Sequence, residues 1–136
     1  MSLKKTKSKR SRLVKECDRL MFEVLKLKRG ERCEICGESG KKRRLGTFHI
    51  LSKSVARNIR YHELNLLLAC WFPCHNLFHS DPHRAAPIIK RIKELRGENY
   101  EQDLRNLNAI SPPLKIFRLE MIRFAMEQFL KYGEET

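Results

Sequence analysis

Four of the five cysteines in this chain fall into two close pairs, Cys33/Cys36 and Cys70/Cys74, and this arrangement constrains the fold more than any other feature. Thiolates at Cys-x-x-Cys spacing can grip one Zn²⁺ from a single turn. A second pair farther along completes a closed, tetrahedral site of the structural kind. The second pair here is Cys-x-x-x-Cys, one residue longer than the usual knuckle. A chain of 136 residues has room for one compact domain, and an ion tying these pairs together would add rigidity that a small core lacks. Apolar burial of the four thiols without metal is the alternative.

Charge narrows the partners. Twenty-nine Lys+Arg against 16 Asp+Glu give +13, with a pI near 9.9. Such an excess favours a polyanion, most often nucleic acid, over an anionic membrane surface. Lys4, Lys5, Lys7, Lys9, Arg10, Arg12 and Lys15 stand near the start with no acid among them, and residues 1–12 read as a disordered basic tail able to contact phosphates. Lys41, Lys42, Arg43 and Arg44, with Lys53, Arg57 and Arg60, are further candidate DNA contacts. As a set they predict steep salt dependence and little base specificity. No apolar run approaches spanning length and no secretory core is read, so an intracellular, cytoplasmic protein without membrane contact is expected. There, cysteines serve metals better than disulfides.

The apolar periodicity predicts an α+β, mainly helical single domain over residues 13–136. Leu13, Cys17, Leu20, Val24 and Leu27 stripe a helix over 13–29 that stops at Gly30, with Cys17 as a core thiol. A metal-rich core spans 31–81. In it "CEICGESGKKRR" forms the first knuckle, and "RLGTFHIL" is extended, with Gly46 marking a bulge or bend. "SKSVARNIRYHEL" reads as an irregular loop, "NLLLAC" as a buried strand, and "CHNLFHSD" as a helix beginning just after Cys74. Trp71 and Phe72 are expected to pack on the sulfur site, with base stacking as the other option. Helices fill 82–136. Ile88, Ile92 and Leu95 mark one, and Tyr100, Leu104 and Leu107 a second. The last is capped by Ser111, with a core stripe of Leu114, Phe117, Met121, Ala125 and Phe129.

The histidines carry the chemistry. His75 and His79 stand at i and i+4 on the expected helix, so both imidazoles leave one face and can share an ion. A sulfur site filled by four cysteines has no room for them. They imply a second divalent cation with open coordination, the mark of a catalytic rather than a structural ion. His49, at the end of a strand-like segment, suits a base that takes a proton from water near neutral pH. Such a base needs one ring nitrogen pinned, and the Asn65 side-chain carbonyl is a candidate for that task.

Taken in order, Cys33-x-x-Cys36, His49, Asn65, Cys70, Cys74-His75 and His79 resemble the HNH (ββα-metal) endonucleases, whose treble-clef-like core is two strands and a helix around one metal. "HILSKS", "RYHELN" and "CHNLFHSDP" are similar to segments of one phage branch, the lambda NinG-like recombination endonucleases. "DRLMFEVLKLKRGERCEICG" and "ELRGENYEQDLRNL" extend that likeness over most of the chain beyond the basic tail.

The resemblance implies His49 as general base, Asn65 as its orienter, and His75 and His79 as holders of a catalytic ion such as Mg²⁺ or Mn²⁺. It also implies structural zinc on the four cysteines, cleavage of duplex or branched DNA, and a phage or prophage source. One departure stands out. Many HNH proteins carry Asp or His directly before the base as a metal ligand, whereas this chain has Phe48. The third ligand is then unassigned, with Asp81, His62 and His83 as candidates. Two further readings stay open: a zinc-stabilised DNA-binding protein without catalysis, and a nicking endonuclease with no preference for DNA shape. Cutting both strands of a junction would call for a homodimer, although no dimer surface can be read.

Overall fold

The computed structural model describes residues 8–81 and 83–133. It is α+β and mostly helical. Helix α1 (Lys9–Arg29) leads to an antiparallel pair, β1 (Leu45–His49) and β2 (Leu66–Cys70), then to a short helix α2 (Asn76–Ser80). Helices α3 (Ala86–Arg96), α4 (Tyr100–Ile110) and α5 (Ile116–Tyr132) complete the chain. Among the described residues, no helix is long and apolar enough to cross a membrane.

Helix α1 starts four residues before the expected Leu13, which corrects the expected tail. Ser8 caps it, its hydroxyl oxygen accepting from the Ser11 amide at 3.1 Å. The added turn is held by α5 and the segment before it: Lys9 pairs with Glu120 at 3.1 Å, and the Arg10 guanidinium donates to the Leu114 carbonyl. Residues 1–7 of the expected tail lie outside the described residues. Leu13, Cys17, Leu20, Met21, Val24 and Leu25 are buried, whereas Leu27, expected on that stripe, is exposed. The Cys17 thiol is fully enclosed and donates to the Leu119 carbonyl of α5 at 3.6 Å. Burial pushes its pKa up to about 11, so it is the core residue that its position in the stripe suggested.

The final helix departs from expectation in phase and start. Ser111 closes α4 instead, its hydroxyl donating to the Leu107 carbonyl at 2.6 Å, and Lys115 is the N-cap of α5. The reason is local: Ser111 precedes Pro112, and a residue before proline is driven out of the helical region. Leu119 and Met126 are buried, with Ile122, Phe129 and Leu130 alongside. Phe117, Met121 and Ala125 of the expected stripe face outward.

The strands pair from Leu45↔Cys70 to His49↔Leu66 with no break in register, so Gly46 is not a bulge. Glycine is required there by close approach. A Cβ at Gly46 would lie 2.6 Å from the Trp71 indole ring, which rests on the bare backbone. Every residue of β2 is buried, as its unbroken apolar run requires. The segment between the strands contains two short 3₁₀ turns, at Arg57–Ile59 and Glu63–Asn65. It is tied down from several sides. Asn108 of α4 accepts from the Asn58 amide at 2.9 Å, and Arg29 and Arg96 donate to backbone carbonyls at its end.

Candidate functional site

The Sγ atoms of Cys33, Cys36, Cys70 and Cys74 all lie within 4.8 Å of one another. Four thiolates around one ion at the usual Zn–S length of about 2.3 Å would form a tetrahedron with edges of roughly 3.8 Å, and Cys36 and Cys70 sit 3.8 Å apart. The donor set therefore fits a closed tetrahedral ion such as zinc. Local backbone builds the first half: Gly37, at φ +79°, turns the knuckle back so that its amide reaches the Cys33 carbonyl at 2.9 Å, and the Cys36 amide donates to the Cys33 sulfur at 3.4 Å. Burial opposes ionisation of Cys33, yet backbone amides of Cys36, Cys70 and Ile35 aimed at its sulfur outweigh it and lower its pKa.

The second half comes from the turn Trp71–His75. Phe72 is extended, and the helical conformation is established by His75 and Asn76, so Cys74 points into the sulfur cluster while the next residue leaves it. His75 and His79 share one face of this helix. Their ring centroids are 4.8 Å apart, and neither joins the cysteine group. Burial, then the neighbouring His79 and Lys53, hold the His75 pKa below its ordinary value. Two imidazoles so placed can hold one ion.

Phe48 stands against that pair. Its ring, fully buried in β1, lies 5.5 Å from His75 and 5.9 Å from His79, centroid to centroid, and 4.9 Å from Phe78. Among the described residues no third His, Cys, Asp or Glu gathers with the two imidazoles. The candidates from sequence are engaged locally: His62 Nδ1 accepts from the Leu64 amide, and Asp81 accepts from the amides of His83 and Arg84.

His49, the next residue of β1, lines a space beside α1 that it shares with Trp71, the neighbour of His75. The His49 Nε2 lies 3.1 Å from the Arg60 carbonyl, which fixes Nε2 as the donor and leaves Nδ1 as the basic nitrogen. Burial dominates its titration and brings the pKa down to about 4, with Lys53 and Arg60 adding to the shift. Asn65 does not hold this ring. Its side chain accepts from the Leu51 amide at 2.8 Å and donates to the Leu51 carbonyl at 3.0 Å, clasping the two ends of the loop that separates the strands. The orienting group is a backbone carbonyl that no side-chain pattern could reveal.

That carbonyl is itself positioned. The Arg60 guanidinium makes two hydrogen bonds to Asp18 of α1, at 3.1 and 2.6 Å, and the Tyr61 hydroxyl donates to the same carboxylate at 2.8 Å and to the Val14 carbonyl at 3.1 Å. Arg60, expected to meet phosphate, is thus spent on an internal clamp. Arg43 is diverted too. Its guanidinium lies 3.4 Å from the Cys36 sulfur. Lys41, Lys42 and Arg57 are exposed, and Lys42 approaches Glu38 at 4.0 Å.

Arg44 and Lys53 behave differently. With His49 and Trp71 they line a cavity of about 350 Å³ between α1 and β1, floored by Met21, Phe22 and Leu45. Trp71 rests on Gly46, beside His75 at 4.5 Å between ring centroids, and is 44 % exposed; Phe72 is 70 % exposed. So exposed a ring as Phe72 is not packed on the sulfur site as expected. Asp18 and Tyr61 are site residues that the sequence pattern did not mark, whereas Trp71, for which base stacking was one of the two expectations, lines the cavity.

No protein-family model, curated protein or solved structure matches the chain.

Proposed function

We propose that the chain is a DNA endonuclease of the HNH kind, hydrolysing phosphodiester bonds with a divalent ion on His75 and His79 and zinc on the four cysteines. One observation carries this reading: a single turn and helix aims Cys74 into a sulfur cluster and two neighbouring imidazoles, tilted at 58° to each other, away from it, beside a hairpin that ends in His49. A module needing only a structural ion has no use for the second pair. A divalent ion at such imidazoles supplies charge stabilisation to a phosphoryl oxygen and the leaving oxygen.

The chain's own residues divide the remaining tasks. The Arg60 carbonyl holds the His49 Nε2–H, so Nδ1 is free to take a proton from water. The depressed pKa keeps this ring neutral at pH 7, and a phosphate drawn close would raise it toward the working range. Arg44 and Lys53 supply positive charge beside it without a carboxylate partner among the described residues. Preference for branched recombination intermediates belongs to the resemblance rather than to the residues, and plain nicking is equally compatible with them.

A second reading is favoured by Phe48. Its ring occupies the side of the imidazole pair where a third ligand would stand, which suits a zinc-stabilised DNA-binding protein without catalysis. The deciding experiment compares wild type with His49→Ala on supercoiled plasmid and on a four-way junction, with Mg²⁺, Mn²⁺ or chelator. Metal-dependent cutting that falls at least a hundredfold in the variant supports the nuclease. Cutting unaffected by the substitution removes His49 from its role, and DNA binding with no cutting in any metal leaves the second reading.

A further inference from the structure

We infer that the cavity between α1 and β1 receives one unpaired nucleobase, stacked on Trp71, so that the preferred substrate is DNA with an extrahelical or single-stranded nucleotide beside the cut. This rests on the nuclease reading and names its substrate class.

The shape and chemistry of the space support a base rather than another ligand. Its volume, about 350 Å³, lies within the usual range for small-molecule sites, roughly 300–1,000 Å³. The floor of Met21, Phe22 and Leu45 is apolar, as a planar heterocycle requires, and Trp71 contributes an aromatic ring that is 44 % exposed. Every base has a π-face, and stacking on an aromatic side chain is tolerant of sequence. Thr47 lies on the wall with no intramolecular hydrogen bond to its hydroxyl among the described residues, so it can meet a base edge.

Charge completes the match. The exposed lining residues Arg44 and Lys53 are cationic, suited to the phosphates on either side of an inserted nucleotide. The lining carboxylate, Asp18, is already held by Arg60 and Tyr61, so it does not oppose them as a free charge. A paired, stacked base cannot enter such a space without being extruded, and the extrusion cost is smallest where pairing is already absent. The cavity would therefore favour distorted DNA without reading its sequence. His49 lines the same cavity, which places the inserted nucleotide next to the proposed base.

The test measures binding of the intact chain, in Ca²⁺ to withhold cutting, to a 20-base-pair duplex and to the same duplex with one unpaired 2-aminopurine. Wild type is expected to bind the bulged DNA roughly tenfold or more tightly, with the 2-aminopurine emission quenched by Trp71. Trp71→Ala should bring the affinity ratio near one and lift the quenching. Thr47→Phe, which fills the cavity and leaves Trp71 in place, should abolish the preference independently. Equal affinity of wild type for both DNAs, or a preference that survives both substitutions, overturns the inference. Cutting of plain duplex with no bulge preference would sink the cavity proposal and leave the nuclease standing. A bulge preference in a protein that never cuts would do the reverse.

Discussion

Phe48 sets its ring edge-on against His75, 5.5 Å between centroids at an interplanar angle of 89°, and 5.9 Å from His79. An apolar side chain therefore occupies the flank of an imidazole pair where a metal site would gain a ligand. If the pair holds a divalent ion, Phe48→His should tighten Mn²⁺ binding by about tenfold, equivalent to roughly 1.4 kcal/mol. Isothermal titration on zinc-loaded protein gives the affinity, and a melting curve checks that the buried substitution is tolerated. Unchanged affinity in a folded variant would mean that the imidazoles do not define an ion site.

Gly46 and Trp71 form a second tight relationship. A methyl at position 46 would sit 2.6 Å from the indole, so Gly46→Ala should destabilise the chain by about 1–3 kcal/mol, the ordinary range for overpacking. Adding Trp71→Ala should recover most of that loss, because the three nearest atoms all belong to that ring. Denaturant midpoints of the two single variants and the double variant measure the coupling. Additive losses would show that strand geometry, not the indole, demands glycine.

The sulfur cluster makes a separate demand. Four thiols gathered within 4.8 Å in a small domain should give one tightly held zinc per chain. Removal by a strong chelator should abolish the cooperative melt, since structural zinc contributes on the order of 10 kcal/mol in comparable small sites. Cys70→Ala, at a fully buried position, is expected to act likewise. Metal analysis with melts before and after chelation decides the point. A chelated chain that melts unchanged would mean the thiols are simply buried.

His49 sets a pH dependence. Its pKa is lowered on folding from 6.5 to about 4, chiefly by burial. The unfolded chain therefore binds the proton more readily, and stability that is complete above pH 6.5 is lost as the pH falls toward 4. The loss attributable to this ring should reach roughly 3 kcal/mol at most. His49→Gln should flatten that part of the wild-type curve when melts between pH 7 and pH 4 are compared. Parallel curves would show that other groups carry the acid sensitivity.

What the sequence disclosed and what it hid follow from physical range. Cysteine spacing and the i, i+4 histidines are local patterns, and the sulfur cluster and the shared imidazole face both emerge as the spacing indicated. Strand β2 was legible because a fully buried strand must be apolar throughout. The orienting contact to His49 was hidden because its acceptor is a backbone carbonyl eleven positions away, held by an ion pair between Asp18 and Arg60 across the fold. Arg43 and Arg60 looked like free surface charge for the same reason: sequence shows a cation but not its partner. The buried stripe of α5 was not legible because apolar residues lie nearly all round this helix, Phe117, Met121 and Phe124 outward and Leu119 and Met126 inward, so their spacing alone does not select the buried face.

The proposed function requires one turn and helix to serve two separate cations, one enclosed by sulfur and one on the imidazoles. The most direct measurement is an electron paramagnetic resonance titration of Mn²⁺ into zinc-loaded protein, wild type against His75→Ala/His79→Ala. Wild type is expected to retain its zinc and take up one Mn²⁺, and the double variant to retain its zinc and take up none. Equal Mn²⁺ uptake by both proteins, or loss of zinc along with the histidines, would contradict it.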